Sequence, residues 1–135
     1  MATMHEALVE LQAAVDPAVE GSVTIFPPAK AKVQGEYGWV EPNTLSMGGI
    51  HPTLYAQGTF SFRVAVRVAG TNLQDRAERM TDLLDPLSEA SLQQAIWDVC
   101  GPEIRFDGVT WGVDDATQEY GANLIGSIPI IRDLT

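Results

Sequence analysis

Thr59-Phe60-Ser61-Phe62-Arg63-Val64-Ala65-Val66-Arg67-Val68-Ala69 alternates without a break. Phe60, Phe62, Val64, Val66 and Val68 fall on one side, and Ser61, Arg63, Ala65, Arg67 and Ala69 on the other. A period of two over this length predicts a long strand with one buried face. Such a face needs a covering layer, and the residues that follow supply one. Asn72 suits an N-cap, and Leu73, Ala77, Met80, Leu84 and Leu87 then recur at helical spacing, with Asp75 near the positive end of the dipole. Asp85-Pro86 is expected to break this helix and begin a second one, or to kink a single element. Its buried stripe would be Leu92, Ala95, Ile96 and Val99, ending before Gly101-Pro102.

Working outward, Thr3 and Glu6 have capping-box spacing, and Met4, Ala7, Leu8, Leu11, Ala14 and Val15 mark one helical face that ends at Asp16-Pro17. Ser22 to Phe26 reads as a short strand, and Ala29 to Gln34 as a strand or an extended linker. The glycine-rich span from Gly35 to Gly58 shows no sustained period and is expected to be a long loop or extended arm. Asp107-Gly108 reads as a turn, Val109, Trp111 and Val113 as alternate positions of a strand, and Asp114 to Gly121 as an acidic loop. Leu124 to Leu134 is β-prone, but Pro129 has no N–H to donate, so it should lie at an edge or face away from a neighbour. The expected fold is α/β of the α+β type, a mainly antiparallel sheet with helices packed on one face.

With 135 residues the chain suits one domain, residues 1–135, large enough to hold a core without staples. Eight basic residues against eighteen acidic ones give a net charge of −10, which opposes tight nonspecific binding to phosphate backbones or anionic membranes. Cys100 is the only cysteine, so no intrachain disulfide is expected, and zinc would have to draw on scattered His5, His51 and carboxylates. No apolar run reaches bilayer length and the N-terminus lacks a basic start, so the expected product is an uncleaved intracellular one.

Residues with reactive side chains do not assemble into a familiar motif. His51 sits beside Pro52 with no carboxylate or nucleophile at a telling spacing, and its ordinary reading is a loop histidine. Cys100 closes an apolar helical stripe, where a free thiol behaves as a small hydrophobe. Asp114, Asp115 and Glu119 lack the alternating oxygen ligands of a calcium loop. Phosphate-cradling glycines, a nucleophile elbow and paired cysteines are all missing from the sequence. Neither catalysis nor a cofactor is expected.

Two features point to assembly instead. Arg63 and Arg67 project about 13 Å apart from the non-core face of the long strand. With Arg76 and Arg79 they make up half of the basic residues, a patch expected to meet carboxylates on a neighbour. The span 35–58 is also too apolar for a solvated linker. Tyr37, Trp39, Leu54 and Tyr55 are the expected interface anchors, with the span ordering only on a partner.

The order of elements, with Gly58-Thr59-Phe60-Ser61-Phe62-Arg63-Val64-Ala65-Val66-Arg67-Val68, then Asp75-Arg76-Ala77-Glu78-Arg79-Met80-Thr81-Asp82-Leu83-Leu84-Asp85, then Leu124-Ile125-Gly126-Ser127-Ile128-Pro129-Ile130-Ile131, resembles the tail terminator proteins of tailed bacteriophages. The likeness is one of pattern and size over most of the chain, and it carries no site motif. It implies a structural virion protein, one subunit of a ring, expected to be a homohexamer, at the head-proximal end of the tail. There the ring would stop tube polymerisation and join the tail to the head connector. Its implied partners are itself, the tail tube protein and the connector or neck protein, with DNA passing through unbound. The alternatives are another neck or tail tube protein, or a small ligand-binding or enzymatic domain whose cavity is lined by Trp97 or Trp111.

Overall fold

The computed structural model describes residues 4–19, 23–27, 35–51, 55–69, 72–101, 103–113 and 120–133. Along the chain run α1 (Met4–Val15), a 3-10 turn (Asp16–Ala18), β1 (Val23–Ile25), β2 (Gly35–His51) and β3 (Tyr55–Ala69). They are followed by α2 (Leu73–Leu84), α3 (Leu92–Cys100), β4 (Arg105–Val113) and β5 (Tyr120–Asp133). The strands form one sheet in the order β1-β2-β3-β5-β4, antiparallel except for the β1–β2 pair. This is the expected α+β architecture.

The alternation of β3 builds the core. Phe60, Phe62, Val64, Val66 and Val68 are buried, joined by Val40 from β2 and Ala122 and Leu124 from β5. Leu8, Leu11 and Val15 of α1, Met80 and Leu83 of α2, and Leu92 and Ile96 of α3 cover them in the same cluster. Asn72 caps α2 as expected, its side chain accepting a hydrogen bond from the Gln74 N–H at 2.8 Å. Pro86 begins no helix: residues 85–91 are turns, and α3 starts after Ser91, whose hydroxyl accepts from the Gln94 N–H at 3.2 Å.

The largest correction concerns the glycine-rich span. Residues 35–51 are a strand, and the segment from Tyr55 to Gly58 belongs to β3, so together they form a long hairpin where a long loop or extended arm was expected. Two register shifts, between Pro42 and Thr44 and between Met47 and Gly49, each insert an extra residue into β2. They break the alternation in the sequence without breaking the ladder. Asp107-Gly108 is likewise no turn but an irregularity inside β4, between Phe106 and Gly108. Pro129 pairs with Thr59 of β3 beyond the point where β4 ends opposite Ser127, so on its β4 side it has no described neighbour. Ala29 to Gln34, apart from this hairpin, and the acidic residues 114–119 lie outside the described residues.

Candidate interaction surface

The three helices occupy one face of the sheet, and the register fixes what stands on the other. Tyr37, Trp39 and Glu41 of β2 pair with Arg67, Ala65 and Arg63 of β3. Those three β3 residues pair in turn with Gly121, Asn123 and Ile125 of β5. Strand alternation therefore brings Tyr37 and Trp39, two of the three aromatics of the expected interface, and both of its arginines onto the face opposite the helices.

Trp39 is the centre of this face. Its ring stacks on Tyr37, with centroids 6.2 Å apart and planes 27° from parallel, and the Arg67 Cζ lies 4.8 Å from its own centroid. A guanidinium at that distance interacts favourably with the ring's quadrupole. Arg67 is held from below as well: its Nη1 donates to the carbonyls of Val66 at 3.0 Å and Ala122 at 3.2 Å. Gly121 makes this posture possible, because a Cβ there would come within 2.9 Å of the Arg67 Cδ and 3.1 Å of its Cζ. The indole Nε1 of Trp39 is buried without a hydrogen-bond partner among the described residues.

Beside Arg67, Gly112 and Gly121 face each other across β4 and β5, and the missing side chains leave a shallow hollow of about 280 Å³ bordered by Thr110 and Asn123. A cation, a hydroxyl and an amide around such a hollow suit a carboxylate.

Arg63 behaves differently from the expectation. Its Nη1 meets Glu41 Oε1 of the same chain at 3.0 Å, and its Nη2 donates to Asn43 Oδ1 at 3.1 Å. Arg79 is not on this face at all: it forks onto Glu36 at 2.7 and 3.0 Å on the helix side and donates to the Ala18 carbonyl at 2.9 Å. The four-arginine patch is thus divided, and two of its members are neutralised within the chain. Tyr37, expected to bury itself on a partner, is already buried in its own domain at 4% exposure. Tyr55 opens β3 opposite His51, and Leu54 lies outside the described residues. Sequence reasoning missed Glu36 and Glu41; the signal for Glu41 was the alternation Tyr37, Trp39, Glu41 in a span read as a loop or extended arm.

Trp111 is 62% exposed and lines a second depression, an apolar groove of about 210 Å³ between α2 and β4, with Met80, Leu84 and Val109. Trp97, on α3, is not among its lining residues. Burial, with a smaller contribution from Glu10, pushes the Cys100 thiol up to about 11. No group of three His, Cys, Asp or Glu able to hold a metal ion occurs among the described residues, where no helix is long and apolar enough to cross a membrane. Comparison with models of known protein families found no match, and neither did comparison with curated protein sequences.

Proposed function

We propose that this chain is a structural subunit of a ring that caps the head-proximal end of a phage tail, stops tube polymerisation and joins the tail to the head connector. The observation that carries an assembly role is the open sheet face. It presents a preformed aromatic and cationic surface, Trp39 with Arg67. Arg67 has carbonyl acceptors and an aromatic face but no carboxylate among the described residues, so its charge is left for a partner's acid. Tyr37 orients Trp39 from within, and Arg63, already paired with Glu41, contributes less. The placement at a tail rests on the sequence resemblance. A net charge of −10 suits a ring through which DNA slides without being held.

The test is reconstitution on purified tails lacking this protein. Wild-type chain is expected to bind as one ring per tail and restore joining to heads. Arg67→Gln should keep its fold, read by circular dichroism, and lose joining. A continuous stack of copies along the tail would identify a tube subunit and refute the cap.

A further inference from the structure

An apolar knob and an apolar hole lie at opposite sides of the sheet, whose first and last strands are β1 and β4. The knob is Phe26, the residue that follows β1. Its φ of 70° lies in the left-handed region, where a bulky residue is strained. Two hydrogen bonds fix it there: its N–H donates to the Val40 carbonyl at 2.8 Å, and its carbonyl accepts from the Thr24 hydroxyl at 2.9 Å. Yet Phe26 is 51% exposed, so burial within its own chain offsets little of that strain. The hole is the groove of about 210 Å³ between α2 and β4, where Met80, Leu84, Val109 and the exposed Trp111 meet and Asp85 joins the lining.

We infer that Phe26 of one copy inserts into this groove on the next. The inference rests on the ring reading and names the contact that joins its subunits. Three observations favour a second copy as the occupant. The first is level. Ile25, Val40, Val64, Leu124 and Val109 form one paired row across all five strands, so Phe26 stands one residue past the row at one side and the groove lies on it at the other. A turn about an axis along the strands therefore brings knob towards hole with little rise. The second is charge. Residues 21–35, which hold Phe26, contain Lys30 and Lys32 and no Asp or Glu, whereas residues 80–104 and 106–131, which supply the groove, contain no Lys or Arg. Asp85 lines the groove and Asp82 is exposed on the same helix, so the two sides of the contact carry opposite signs. The third is chemistry: a phenyl ring entering the groove meets an indole and a thioether, both favourable neighbours for it. Two different surfaces of one chain form a heterologous contact, which closes into a ring when the rotation allows. The groove is on the helix side of the sheet, so the face bearing Trp39 and Arg67 stays open to the tail or connector.

The test begins with Phe26→Gly in the full chain. Glycine adopts a positive φ freely, so the melting temperature of the dilute, monomeric chain should stay the same or rise. The concentration needed for assembly, alone or on purified tails, should rise at least about tenfold, as expected for loss of a central anchor. A lowered melting temperature of the monomer would show that the Phe26 side chain packs on its own domain and overturns the inference. The second arm uses Cys100→Ala chains carrying either Phe26→Cys or Thr81→Cys, the latter at an exposed position lining the groove, and a short bis-maleimide. Cross-linked chains are expected in abundance only when the two variants are mixed. A closed oligomer that gives no cross-link in the mixture, or that forms equally well with Phe26→Gly, overturns the knob and leaves the ring intact. Efficient cross-linking of Phe26→Cys with itself would show a two-fold contact and also overturns it. Wild-type chain that stays monomeric, both alone at about 0.5 mM and on tails, overturns the ring and the contact together.

Discussion

Replacing Arg67 by Met and Trp39 by Leu, singly and together, should reveal a coupling that neither residue shows alone. At 4.8 Å from the ring centroid the guanidinium is well placed, and both groups are partly buried on the open face. Such contacts are worth about 0.5–1 kcal/mol when exposed and about 2 kcal/mol when desolvated, so a coupling of about 1 kcal/mol is expected. Arg67→Met also removes donors to the Val66 and Ala122 carbonyls, for a total loss of about 2 kcal/mol. With a urea slope of about 2 kcal/mol per molar, that loss lowers the unfolding midpoint by about 1 M. The double variant should be more stable than the sum of the single losses implies, by the coupling energy. Gly121→Ala supplies an internal control, because its Cβ would push the flexible Arg67 side chain off its seat and reduce the coupling without changing either partner. Additivity of the two substitutions within about 0.3 kcal/mol would show that Arg67 does not lie on Trp39, and the preformed surface would lose its basis.

Gly126→Ala should destabilise the domain by about 1–3 kcal/mol, read as a lowered melting temperature, because its Cβ would stand 2.5 Å from the Phe62 Cζ and 2.8 Å from the Arg105 carbonyl. Arg63→Glu should weaken the fold through repulsion with Glu41, whereas Glu41→Gln should cost no more than about 1 kcal/mol, since Arg63 is substantially exposed; urea unfolding of both variants measures this. Cys100 titrates near 11 in the folded chain against an ordinary 9.0, so its thiolate fraction at pH 8 is lower by about a hundredfold and iodoacetamide should label it correspondingly slowly. A raised thiol value means that this contribution to stability is intact below pH 9 and is lost as pH rises from about 9 to about 11, which unfolding midpoints across that window will register.

The parts of the fold legible in the sequence are those where one period holds throughout an element. The alternation of 59–69, the helical stripe of α1 and the Asn72 cap of α2 each predict what is found, because local pattern and tertiary burial agree there. The hairpin was illegible because its first strand is held by its partner more than by its own pattern: β3 templates β2 through a ladder of pairs, and the two bulges scramble the alternation. That single error accounts for most of what was missed at the surface. Tyr37, Trp39, Arg63 and Arg67 were named, yet Glu41 could be matched to Arg63 only once β2 was known to pair with β3. Pro86 misled for a related reason, since its preference for a first helical turn is equally satisfied in the turns of 85–91.

The size and closure of the assembly test the central claim most directly. Imaging of the head-proximal end of tails reconstituted with this chain should show one closed ring of copies, six in number, seated on the tube. A tail end bearing a single copy, no copy, or an open stack continuing along the tube would contradict it.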